Sequence, residues 1–394
     1  MKRSSRLFTA LAVLGGASTM LLSGQPARGQ SSPQVVASYS VLCDLTEQIA
    51  QDTVDITCLI DAGEDPHLYS ANPADRRAIE SADLVLYGGY DFEPDIIRMV
   101  EATEGDTPQV AVSEVAVSEP LMGAHHDHGS HSDEHHEEHD DHDEEDHGDE
   151  DHDDHGEEAH DGHDHKAYLE RSEEAHLKAG HGEGDHDDHG DEDHDDHDDH
   201  DDEEGEADPH VWHDAENGIA MVRVIQTELS EAFPENADLY QSNADTLIAQ
   251  LTQLDAWIQQ QVDTVPESQR VLVTTHDALG YYAEAYGIRI EAALESFSTE
   301  ARPSAADLRA LIDLVEASNI PSIFVETTSN PGLIEAVSRE TDIGVSEEPI
   351  YADSLGEAGT PASTYTGMLM TNTCTIVSGL GGSCDEATAQ AFLN

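Results

Sequence analysis

The sequence predicts an α/β protein of two lobes, each with a small, mostly parallel sheet flanked by helices, joined by one long rigid helix. Three observations predict it. Short apolar runs alternate with helical spacings over about residues 31–122, and again from Val271 onward, the rhythm of parallel strands with helical crossovers. Between the two series, Leu239, Leu247, Ile248, Leu251, Leu254, Trp257, Ile258 and Val262 keep an i, i+3, i+4, i+7 stripe, with Pro234 before it and Pro266 after it. A polar tract interrupts the chain between them, and the 394 residues leave roughly 300 outside it, enough for two ordinary domains.

Taken in order, Lys2, Arg3 and Arg6 followed by the apolar run Leu7–Leu22 read as an export signal over residues 1–29, with cleavage near Ala27–Gln30. The N-terminal lobe, 30–123, holds predicted strands at Gln34–Ser38, Val54–Ile60, Ala82–Tyr87 and Gln109–Val112. Its helices are predicted over Tyr39–Gln51, Asn72–Ser81 and Phe92–Glu101. Pro73 stands in the first turn of the second of these, where a missing N–H costs nothing. After a polar loop over 124–207 the chain returns to this lobe over 208–234, where Ile219–Phe233 is amphipathic. The long helix, predicted over Asn236–Val262, occupies a linker at 235–265. The C-terminal lobe, 266–394, is read as strands Val271–Thr275, Ile288–Glu291 and Ser322–Glu326, with extended pieces at Gly344–Val345 and Pro349–Tyr351. Its helices are Ala278–Tyr286, Pro303–Glu316, Pro331–Thr341 and a terminal Thr364–Leu380.

The polar loop carries 21 of the 25 histidines, between His125 and His200, and nearly everything else in it is Asp, Glu or Gly. Such a composition cannot bury an apolar face and is predicted to be disordered. It can bind metal, because neutral imidazole suits zinc, copper and nickel and carboxylates supplement it. His125, His126, His128, His135, His136, His139, His186, His189, His194, His197 and His200 are read as accessory ligands, many weak and interchangeable sites that collect metal. The formal net charge of -70 argues against nucleic acid and anionic membranes as partners and fits a protein that attracts cations.

Four cysteines in an exported chain favour disulfides over thiolate ligands. Proximity pairs Cys43 with Cys58 and Cys374 with Cys384, one of three possible connectivities. Outside the tract, His67 lies in the loop after a predicted strand and His276 at a strand's C-terminal end, the edge where ligands gather in open parallel sheets. His67 and His210 each follow Asp-Pro, which stiffens the approach. His213 reads as a partly exposed loop histidine, or as a fifth nitrogen near the site. Glu326 ends a strand. It reads either as a partner for a histidine N–H or as an edge carboxylate in water.

Three stretches carry a family resemblance: GEDPHLYSANPADRRAIESADLVLYGG (63–89), DPHVWHDAENG (208–218) and VLVTTHDALGYYAEAYGI (271–288). With FVETTSNPGLIEAVSRETDIGV (324–345) and YADSLGEAGTPASTYTGMLMTN (351–372), they resemble the zinc/manganese cluster of periplasmic metal-binding solute-binding proteins of ABC transporters. The acidic, His-rich insertion resembles the zinc-type members. The resemblance implies a four-coordinate site between the lobes, with His67 and His210 from the first and His276 and Asp353 from the second. In some zinc-specific members water takes the place of that carboxylate. Manganese-selective members usually carry glutamate at the third position, so His276 points to zinc. The C-terminal stretches look closer to broad-specificity or manganese members.

The function expected is that of a zinc receptor, not an enzyme: a monomer free in the periplasm, without a lipidation cysteine, delivering Zn2+ to an inner-membrane permease and its ATPase. Mn2+ is a possible second cargo. A broad-specificity manganese, zinc or iron receptor of the same family is the alternative. From other classes, a zinc hydrolase would need an open coordination position and a general base, and a metal buffer would make the tract the whole function.

Overall fold

The computed structural model describes residues 32–123, 206–295, 298–299, 304–317 and 320–393, all within one unit of the chain. The signal segment and the eleven accessory histidines lie outside the described residues. Within them, no helix is long and apolar enough to cross a membrane.

The first half is built on a parallel sheet of order β2-β1-β3-β4, with β1 at Gln34–Tyr39, β2 at Asp55–Ile60, β3 at Leu84–Tyr87 and β4 at Gln109–Ala111. Val35 of β1 stands opposite Ile56 on one side and Leu84 on the other, which sets the register of the central strands. Helices α1 (Ser40–Ala50), α2 (Pro73–Ser81) and α3 (Pro94–Glu101) supply the crossovers. The start of α2 is fixed by a reciprocal cap: Asn72 Oδ1 accepts from Ala74 N–H and Asp75 accepts from Asn72 N–H. The expected strand through Val112 stops at Ala111, where a short helix α4 (Val112–Ala116) begins.

The chain re-enters at Ala207, paired antiparallel with Met122, and runs through a 3-10 turn at Val211–His213 into α5 (Ala215–Ala232). This helix begins four residues before the expected amphipathic stretch, because Asp214 caps it by accepting from Glu216 N–H. Gly218 disguises that start in the sequence. It is needed there: a Cβ at Gly218 would stand 2.1 Å from the Tyr365 hydroxyl. The long α6 (Ala237–Val262) follows and packs against α1 and α5.

The second half pairs β5 (Val271–His276) with β6 (Arg289–Glu295), and β7 (Ser322–Ile323) with β8 (Gly344–Val345), all parallel. The two pairs are separate two-stranded sheets, and one backbone bond, Phe324 N–H to Val273 C=O, reaches from the residue after β7 to β5. Here β6 runs four residues beyond the expected Glu291, while β7 is shorter than expected. The chain leaves β7 after Ile323, and Glu326 rejoins only as a parallel bridge to Ile350. Helices α7 (Gly280–Tyr286), α8 (Ala305–Ala317), α9 (Pro331–Thr341) and α10 (Tyr365–Gly379) match expectation closely, and an unexpected α11 (Glu386–Leu393) lies against α6.

One apolar core runs through both halves, from Val35 and Leu45 through Leu251 and Tyr282 to Met368 and Ala389. A smaller one, including Val273, Val315, Ile323 and Val337, lies under α8 and α9. Both expected disulfides are present. Cys43–Cys58 ties α1 to β2, and Cys374–Cys384 ties α10 to the segment before α11.

Candidate metal centre

His67 follows β2 and His276 ends β5, both at the C-terminal edge of a parallel strand, whereas His210 and Asp353 lie on segments outside the strands. The loop after β2 turns at Gly63, whose φ of +87° glycine adopts without strain. Asp65 then accepts the His67 N–H at 3.0 Å and holds Thr299 Oγ1 at 2.7 Å through its other oxygen. His210 follows the base of the polar loop, where Leu121 C=O accepts from Asp208 N–H and Gly123 N–H donates to Glu206 C=O, each at 2.8 Å. Asp208 Oδ1 accepts from both the backbone N–H of His210 (2.9 Å) and its ring Nδ1 (2.8 Å). Tyr281 clamps the same base: its hydroxyl accepts from Leu121 N–H and donates to Asp208 C=O.

His276 is the last residue of β5. Glu326 Oε1 accepts the backbone N–H groups of Thr275 and His276, and its Oε2 is bonded to His276 Nδ1. Of the two readings of Glu326, the structure gives the buried partner rather than the carboxylate in water. Asp353 sits on a segment seated against the first half. Trp212 Nε1–H and His213 Nε2–H both donate to Ala352 C=O, at 3.3 and 2.8 Å, and Ser40 Oγ accepts from Leu355 N–H at 3.0 Å.

The structure brings together His67, His210, His276 and Asp353: one ligand atom from each lies within 4.8 Å of the others. The four residues are at most 5% exposed. Asp353 Oδ1 is 3.1 Å from His276 Nε2, 3.2 Å from His210 Nε2 and 3.7 Å from His67 Nε2. Because Asp208 and Glu326 take the Nδ1–H of His210 and His276, the Nε2 lone pairs of both rings face inward. His67 Nε2 lies 3.3 Å from His210 Nε2. Two lone pairs cannot face each other at that distance in a dry site without a proton or cation between them. The donor set, three imidazoles and one carboxylate around a common point, fits a four-coordinate cation.

Protons and a cation compete for these Nε2 atoms. Burial opposes charge on Asp353, but His276, positive when it carries a proton on both ring nitrogens, and the other imidazoles hold its carboxyl well below the usual range. Burial would lower His276 and His210. Asp353 and Glu326 instead raise the first well above its ordinary value, and Asp208 and Asp353 raise the second. Phe92 and Trp212 wall the first-half side, with ring centres 5.0 Å from His67 and 5.5 Å from His210.

His213 is corrected on both readings. It is fully buried, its Nε2–H is spent on Ala352, and it is not among the convergent donors. Burial, then the charge of His210, pushes it down to about 3, so it is neutral. Sequence reasoning misses three supporting residues. Asp65 and Asp208 have a signal, since each is the acid of a DPH triplet, two residues before its histidine. Thr328, which donates to Asp353 Oδ2, leaves no signal in the sequence.

Residues 35–379 match the family of zinc-uptake complex component A, periplasmic (ZnuA). The chain belongs to this family. Its members are metal-binding solute-binding proteins of ABC transporters. The chain is 28% identical to the manganese-binding lipoprotein MntA of Halalkalibacterium halodurans, over 88% of each chain. It is 26% identical to the zinc-binding protein TroA of Treponema pallidum, over 92% of this chain and 93% of that one. The solved structure of TroA superposes with a TM-score of 0.66 at 25% identity, covering 89% of this chain and 99% of TroA. A manganese-bound periplasmic metal-binding protein from Candidatus Liberibacter asiaticus shares the fold, with a TM-score of 0.62 at 22% identity over 88% and 99% of the two chains. This family has the two-lobed α/β architecture. Relatives named as lipoproteins place it outside the cytoplasm, and they give no support to the expectation of a chain without lipid.

Proposed function

We propose that this protein is the zinc receptor of an ABC-type uptake system, holding Zn2+ between His67, His210, His276 and Asp353 and passing it to a permease and its ATPase. One observation carries the reading: three imidazole Nε2 atoms and one carboxylate oxygen converge in a buried pocket. That nitrogen-rich, four-donor set suits zinc better than manganese, which favours oxygen ligands and octahedral geometry. His67 and His210 belong to an N-terminal lobe of 30–123 with 208–234, and His276 and Asp353 to a C-terminal lobe of 266–394, with 235–265 as linker. Parting the lobes by a few ångströms would break two of four bonds, a means of release at the permease. The protein acts in the periplasm as a monomer and is not an enzyme: the carboxylates beside the site, Asp65, Asp208 and Glu326, each accept from a histidine N–H. Residues 124–207 collect metal as an accessory.

A second reading, a receptor for manganese as well as zinc, is favoured by the manganese-named relatives. Competitive titration of zinc against manganese separates the two. Zinc preference of at least about a hundredfold is expected from the donor set, and equal affinities would favour the second reading. His67→Ala, His210→Ala and His276→Ala should each weaken the tight site by orders of magnitude. A variant with unchanged affinity removes its residue from the set.

A further inference from the structure

The two oxygens of Asp353 have different surroundings. Oδ1 faces the three imidazoles, at 3.1, 3.2 and 3.7 Å. Oδ2 accepts a hydrogen bond from Thr328 Oγ1 at 2.5 Å. Thr328 lies in the turn that follows Glu326, and this turn is itself well fixed. Ser329 Oγ donates to Glu326 Oε2 at 2.8 Å, and Glu326 holds His276. On the backbone, Thr327 N–H donates to Ile350 C=O and Ile350 N–H to Val325 C=O, at 2.9 and 2.8 Å. That bridge registers the turn against the strand-like segment leading to Asp353. One short turn therefore controls two of the four candidate ligands, His276 through Glu326 and Asp353 through Thr328.

We infer that Thr328 is a metal-selectivity residue: by occupying Asp353 Oδ2 it makes the carboxylate a one-oxygen ligand and keeps the site four-coordinate. This rests on the metal site proposed above. Zinc is satisfied by four donors in a tetrahedron, whereas manganese gains from added oxygens toward six-coordination. The second oxygen of Asp353 is an extra donor on a ligand already in place, and the Thr328 hydroxyl competes for it. A hydrogen bond to a charged acceptor is strong enough for that competition to matter. Thr328 touches no cargo itself and acts only through Asp353.

The test uses the full-length chain with Thr328→Val, which keeps the shape and removes the donor, and Thr328→Ser, which keeps the donor. One equivalent of zinc is displaced by manganese, and the visible absorption of the protein with one equivalent of cobalt(II) is recorded. Thr328→Val should lower the zinc-to-manganese affinity ratio by about tenfold to a hundredfold. It should also weaken the cobalt d–d bands as the ion moves above four-coordination, while Thr328→Ser keeps the wild-type ratio and spectrum. An unchanged ratio and spectrum in Thr328→Val, or an equal change in Thr328→Ser, overturns the inference while leaving the zinc site standing. Should Thr328→Val not fold, a Thr328→Ser ratio shifted from wild type overturns it, and Thr328→Ala replaces Val in the comparison. Absence of a tight zinc equivalent in the wild-type chain would instead overturn the proposed function.

Discussion

Two carboxylates outside the candidate ligand set decide which face the imidazoles present. Asp208 and Glu326 each take an Nδ1–H, leaving Nε2 free for a cation and making the ring more basic. Glu326→Gln and Asp208→Asn should each weaken zinc binding by about tenfold to a hundredfold, measured by chelator competition, with the melting of the metal-free protein reported alongside. Affinity at the wild-type level in both would mean that ring orientation is fixed by packing alone. A third carboxylate makes a different prediction. Glu93 is fully buried, its Oε1 accepting from Ser38 Oγ and Gly88 N–H, both at 2.6 Å, while Oε2 has no partner among the described residues. Burial raises it from 4.5 to about 7. Between those values the folded chain keeps a proton that the unfolded chain gives up, so stability falls as pH rises through this window and the loss is complete above about 7. The difference amounts to about 3 kcal/mol at most. Glu93→Gln cannot ionise, so its stability relative to wild type should rise between pH 5 and pH 8 in urea melts. A parallel pH dependence in both proteins would contradict this. Asp353 and the three site histidines were legible in the sequence because each stands in a recognisable motif. Glu93 and Thr328 were not, because a burial or a hydrogen bond made across the fold leaves no local pattern.

At the scale of elements, legibility followed periodicity. The long helix and the strands β1 to β3 carry enough apolar residues at regular spacing to be found within a residue or two. The misses have local physical causes. A glycine required by the close approach of Tyr365 hid the first turn of α5. SIFVE is apolar and β-prone and so predicts continuous strand, yet β7 ends at Ile323 and the chain goes on to carry Glu326 and Thr328 to the candidate site. His213 was misjudged because its burial depends on Ala352, a residue 139 positions away. The same contact explains how the halves share a site: Trp212 and His213, on the turn just after His210, grip the peptide that carries Asp353.

For the whole molecule, the histidine-rich tract is conspicuous in the sequence but supplies none of the four convergent donors found among the described residues. Its two ends meet at a short paired base, Leu121–Gly123 against Glu206–Asp208, clamped by Tyr281. Because the base is already closed by hydrogen bonds, a short turn can replace residues 124–205 without moving His210. The most direct test of a dispersed four-residue site is a zinc titration of that shortened protein, with and without His276→Ala. One tight equivalent is expected in the shortened protein, abolished by His276→Ala, with only the weaker equivalents of the full chain lost. A shortened protein that binds no zinc tightly, or one whose tight equivalent survives His276→Ala, would contradict such a site.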